Sequence, residues 1–158
     1  MQQMWQIKQM IALAMLAVCT YTDIKEKNIY LVPLLISTAG GVFITLAALI
    51  GMPDYGAAEL ATDLVFPALF GCVMIVIAKC LTKYVGIGDG YLIAALGILI
   101  GNMNNMYVTG IASVFAGVYA VILMILKRKR FAGSIPFAPF VMAGFVIVTA
   151  GRIASLQI

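Results

Sequence analysis

Long apolar runs dominate the chain, and short polar stretches divide them into blocks. A helix needs about 20 apolar residues to cross the hydrocarbon core of a bilayer. Six segments meet or nearly meet that length: Met4 to Tyr21, Tyr30 to Met52, Asp63 to Leu81, Asp89 to Asn102, Met106 to Leu126 and Pro136 to Ala150. The fourth is short, so it is expected to draw on the glycine stretch before it or to start below the membrane surface. The first lacks the basic start and small-x-small cleavage pattern of a signal peptide, so it reads as a helix. The pattern predicts an all-α polytopic integral membrane protein of about six transmembrane helices, in a single domain over residues 1–158.

Composition supports that class. The chain is 64% hydrophobic and 10% charged, with a mean hydropathy of +1.10, whereas soluble domains carry about 25% charged residues. Too few polar side chains remain to cover a water-facing surface. Basic residues then set the orientation. Lys25 and Lys27, Lys79 and Lys83, and the run Lys127, Arg128, Lys129 and Arg130 fall on one side of the predicted spans, leaving only Lys8 and Arg152 on the other. The three basic loops are therefore expected to face the cytoplasm, with both termini extracytoplasmic, in a multi-pass inner-membrane protein. Asp54, Glu59 and the polar run Asn102–Asn105 are expected in outer loops. The net charge of +4 reads as topology, with no nucleic-acid partner implied. The Lys127–Arg130 run suits anionic lipid head groups.

The chain has no histidine, which removes His-based triads and proton relays and most zinc and haem sites. Cys19, Cys72 and Cys80 form no CxxC pair and lie in apolar runs, where they read as small buried hydrophobes. No metal and no cofactor is expected.

Six acids remain. Asp54, Glu59 and Asp63 occupy ordinary interface positions, and Glu26 sits between two lysines. Asp23 and Asp89 differ. Asp23 ends the first apolar run, and Asp89 stands among Gly86, Gly88 and Gly90 at the start of the fourth. The topology puts both near the cytoplasmic edge. Two facing carboxylates in a low-dielectric site repel if both ionise, so one keeps a proton while the other stays charged. The charged one can take a proton from water while the neutral one donates to a carbonyl oxygen, enough for peptide hydrolysis. Glycines beside Asp89 can adopt backbone angles closed to other residues and let a substrate strand approach. From spacing alone, two plainer readings stand beside this one: Asp89 as the N-cap of the fourth helix, and Asp23 as a surface residue at the membrane edge. The small residues Gly97 and Gly101 have a spacing that lets helices approach closely.

Three blocks, in order, give the chain a resemblance to the prepilin leader peptidases, GxGD-type aspartic proteases of the bacterial inner membrane. They are TDIKEKNI with Asp23, GIGDGYLIAALGILIG with Asp89, and IPFAPFVMAG over residues 135–144. The resemblance implies that Asp23 and Asp89 are the catalytic pair. It also implies that Gly86, Gly88 and Gly90 form the loop supporting Asp89, and that Pro136, Phe137, Pro139 and Phe140 line or support the site. The partner would be a prepilin or pseudopilin-like precursor that loses a basic leader at the cytoplasmic face. The sequence departs from the family where Tyr91 replaces a frequent lysine, and where Tyr30 follows Ile29 in place of proline. It lacks the CxxC domain of the long members and resembles the short forms associated with Tad/Flp-type pili, so N-methylation is not implied. Archaeal preflagellin peptidases share the pair. A small transporter or assembly subunit, with Asp89 binding an ion or proton, is the reading from a different class.

Overall fold

The structure, a computed structural model, describes residues 2–53, 55–80, 86–126 and 135–155. Asp54, Lys83 and the Lys127–Arg130 run lie outside the described residues. The elements are α1 (Gln2–Glu26), α2 (Leu31–Gly51), α3 (Ala57–Leu60), a π turn (Ala61–Val65), α4 (Phe66–Cys80), α5 (Ile87–Ile100), α6 (Asn102–Ile125) and α7 (Ala138–Ser155). No strand occurs among the described residues.

α3, the π turn and α4 make one continuous rod, so the described residues form six rods. Their packing alternates in direction. Gly71 of α4 meets Ala94 of α5, and Gly97 of α5 meets Pro67 of α4. At one end Asp23 of α1 meets Ala138 of α7, and Ile29 meets Gly88. At the other, Trp5 of α1 lies against Gly101 and under Arg152. Four rods are long and apolar enough to cross a membrane: Gln3–Glu26, Leu31–Gly51, Ala57–Cys80 and Asn102–Ile125. Ile87–Ile100 and Ala138–Arg152 are apolar but shorter. Outward-facing Phe43, Ile50 and Met124 are among the most exposed side chains. The protein is a multi-pass helical membrane protein.

α5 is the hub. It packs against α1, α2, α4 and α6, and Leu92, Ile93, Ala95, Leu96, Leu99 and Ile100 are all buried. A helix covered on nearly every side has no single apolar stripe, and it can be short because it borrows its surroundings from neighbouring helices. Lipid tails are as apolar as leucine, so helices associate mainly through close van der Waals packing. Gly71 provides it here: a Cβ there would lie 2.6 Å from the Ala94 Cβ.

Four expectations fail. Asn102–Asn105 is the first turn of α6, not an outer loop. Gly101, at φ 79°, turns the chain between α5 and α6 within one residue, and the Asn105 amide satisfies the Ile93 carbonyl at 3.1 Å. Gly101 is therefore a turn residue, and only Gly97 serves helix packing. Cys72 and Cys80 face outward, while Cys19 is buried in the core.

The fourth failure concerns Lys8 and Asp63. Lys8 is only 3% exposed, and its ammonium lies 3.8 Å from Asp63 Oδ2. The Tyr55 hydroxyl donates to the same oxygen at 2.9 Å. Asp63 sits within the π turn, in a rod that starts at Ala57 rather than at Asp63 itself. Glu59 caps that rod by accepting the Gly56 amide at 2.9 Å. Charges at membrane depth are costly unless paired and turned inward, which Lys8 and Asp63 achieve together.

Candidate active site

Asp23 lies in the last turn of α1, 5% exposed. Its Oδ2 accepts the Ala138 backbone amide at 2.9 Å. The sequence of the 136–140 stretch explains why. Pro136 and Pro139 have no N–H to offer. The Phe140 amide is taken by the Phe137 carbonyl at 3.0 Å. The two amides left at the α7 start are those of Phe137 and Ala138, and a helix start favours a nearby anion.

Asp89 is the third residue of α5, with Gly86 in the cap position, so the N-cap reading of Asp89 does not hold. Its own amide donates to the Gly86 carbonyl at 3.1 Å, and its carboxylate stands beside Gly86. Asp23 and Asp89 line one cleft of about 320 Å³. Lys27, Asn28, Ile29, Gly86, Ile87, Gly88 and Ile135 complete its wall.

The glycines work differently from the expectation. Gly86 has ordinary extended angles, φ −67° and ψ 137°, and among the described glycines only Gly101 has positive φ. Gly88 and Gly90 lie inside α5, so only Gly86 belongs to the approach to the helix. What the three provide is room. A Cβ on Gly86 would lie 3.1 Å from Asp89 Oδ2, one on Gly88 3.1 Å from the Ile29 Cβ, and one on Gly90 3.1 Å from the Ile75 Cα. The first clears the carboxylate, the second lets the chain after α1 close over α5, and the third seats α5 on α4.

Pro136, Phe137, Pro139 and Phe140 are half-buried, and none lines the cleft. Their contribution is the α7 start that holds Asp23, with Phe140 packed on the Tyr119 ring at 5.6 Å. Ile135 is the residue of that stretch that reaches the cleft. Tyr91, at the departure from the family pattern, packs against the core. Sequence reading did not identify Lys27, Asn28 or Ile135. The signal available for Ile135 was its place directly before Pro136; Lys27 carried only its charge. No cluster of three or more metal-ligating side chains occurs among the described residues.

Two carboxylates, one from the end of α1 and one from the start of α5, thus line one cleft of a helical membrane protein. The chain matches the type IV leader peptidase family over residues 10–121, a span that contains both Asp23 and Asp89, and it belongs to that family. It is a leader-peptidase-type protease, and the family implies a substrate of prepilin type in general. No match was found among curated proteins or among solved structures.

Proposed function

We propose that the chain is an aspartic endopeptidase that removes the basic leader from type IV prepilin-like precursors at the cytoplasmic face of the inner membrane, with Asp23 and Asp89 as its catalytic pair. The observation that carries this reading is the shared cleft. Residues far apart in sequence, from the end of α1 and the start of α5, present two carboxylates to one space. In this account all six rods span the membrane as one peptidase domain, with both termini extracytoplasmic.

The reaction needs one proton shared by the pair. The ionised carboxylate takes a proton from a water molecule as its oxygen attacks the scissile carbonyl carbon. The neutral carboxyl gives its proton to the carbonyl oxygen, forming a neutral gem-diol. Collapse breaks the C–N bond: the protonated carboxyl gives its proton to the departing amine, one diol hydroxyl gives its proton to the other carboxylate as its oxygen becomes the new carbonyl, and one shared proton remains. The precursor must be unwound at the cut, since a helix hides its carbonyls. The precursor's apolar helix would remain in the bilayer beside the bundle, leaving the leader junction at the depth of the cleft.

The test is reconstitution of the purified chain in lipid nanodiscs with a panel of prepilin-like precursors, read by mass spectrometry. A mass loss equal to a leader, with the new terminus at the junction of basic leader and apolar helix, supports the proposal. Cleavage within the apolar helix or on the extracytoplasmic side would refute it.

A further inference from the structure

Among the described residues, the lining of the cleft includes one basic residue, Lys27, besides its two acids. In the run Lys25-Glu26-Lys27, each side chain has a different fate. The Lys25 ammonium sits over the Tyr21 ring at 5.6 Å, the Glu26 carboxylate accepts the Tyr30 hydroxyl, and Lys27 lines the cleft with Asp23 and Asp89. Positive-inside topology accounts for a charge at this level of the membrane. It does not account for a lysine in the wall of the cleft.

The backbone of Lys27 adds a second, independent observation. At φ 52° it is the one non-glycine residue in the left-handed region among the described residues. A helix that ends this way normally has glycine at that position, because any side chain is crowded there. The Lys27 amide still donates to the Asp23 carbonyl at 3.0 Å, so the strained residue is bonded to the one that carries the acid. Strain of this kind persists where the surrounding structure holds it and the side chain has a use. Among the described residues the single ion pair is that of Lys8 with Asp63, so neither acid of the cleft takes up the Lys27 ammonium.

We infer that Lys27 binds a main-chain carbonyl of the substrate strand beside the cut, and so contributes to substrate affinity. The inference rests on the peptidase reading above. Charge balance selects the ligand. A pair sharing one proton carries one negative charge and Lys27 one positive charge, so the described lining of the cleft is neutral. A basic leader side chain would be repelled by Lys27, and a neutral acceptor is what remains. An unwound strand exposes carbonyls that have lost their helical partners, and an ammonium brings three donors to meet them.

The test measures kcat and KM separately for Lys27→Gly, Lys27→Met and Lys27→Arg, on the precursor that the wild-type chain cleaves fastest. Glycine suits the left-handed backbone, so Lys27→Gly folds at least as well as the wild type. Loss of a charged hydrogen bond to substrate should raise KM roughly tenfold or more in the glycine and methionine variants, with kcat changed far less. Lys27→Arg should keep KM near the wild-type value. Wild-type KM in Lys27→Gly, or a fall in kcat with KM unchanged, overturns the inference while leaving the peptidase reading standing. Absence of cleavage by the wild-type chain overturns both.

Discussion

The backbone amide of Ala138 donates to Asp23 Oδ2 at 2.9 Å, across 115 residues of sequence. The start of the last helix thus holds the carboxylate at the end of the first. The bond separates two substitutions that would otherwise look alike. Asp23→Asn keeps an oxygen for the amide but cannot accept a proton, so cleavage should fall by about 10²- to 10⁴-fold with the fold intact. Asp23→Ala should be equally inactive and also lose about 1–3 kcal/mol of stability, because a buried amide is left unsatisfied. Cleavage assays paired with unfolding curves in detergent check both. Equal stability of the two variants would contradict the structural role given to Asp23.

Gly86→Ala should impair cleavage with little effect on stability. The added methyl would sit 3.1 Å from Asp89 Oδ2, closer than ordinary contact, and Gly86 is exposed at a helix cap. The carboxylate must shift, and small displacements of a reacting group cost about 10²-fold. Turnover measured beside the melting temperature is the check, and wild-type turnover would mean that Asp89 tolerates the displacement.

At the other end of α1, Lys8 and Asp63 form a pair away from the cleft. At about 1.5 Å of rise per residue, Lys8 and Asp23 sit roughly 22 Å apart along the helix. Lys8→Met leaves Asp63 facing apolar surroundings without its cation and should cost about 3–5 kcal/mol. The double variant Lys8→Met/Asp63→Leu removes both charges and should recover most of that loss. Denaturant unfolding of the single and double variants gives the comparison, with recovery as the expected result.

Tyr55 adds a pH dependence at the same place. It is a loop residue whose phenol is pushed well above its ordinary value by burial, by its hydrogen bond to Asp63 and by nearby acids. A raised value in the folded state stabilises the protein fully below the unfolded value of about 10. That contribution is lost as pH rises through the folded value. Alkaline titration should therefore destabilise the wild type, and Tyr55→Phe should lose that part of the dependence while being about 1–2 kcal/mol less stable at neutral pH. Parallel slopes for the two proteins above pH 10 would show that Tyr55 does not titrate in this way.

Much of this site could be read from sequence, for identifiable reasons. Asp23 and Asp89 stood out because a carboxylate beside a long apolar run is rare without a use. The PFAPF stretch marked a helix start because proline is tolerated in the first turn. What stayed hidden depended on contacts across the chain. Asn102–Asn105 looked like a loop because asparagine is a turn former, yet Gly101 makes the turn alone and Asn105 is spent on the Ile93 carbonyl. Lys8 looked like a terminal charge because its partner Asp63 is distant in sequence. The glycines around Asp89 suggested unusual backbone angles, whereas each accommodates a neighbour. Local patterns report propensity and burial, but close approach between helices leaves little local trace.

The most direct measurement is co-expression of the chain with prepilin-like precursors, comparing wild type with Asp89→Asn and weighing the precursors by mass spectrometry. The account predicts a leader-sized loss with the wild type and uncut precursor with Asp89→Asn, both proteins accumulating equally in the membrane. Full processing by Asp89→Asn would contradict the catalytic pair.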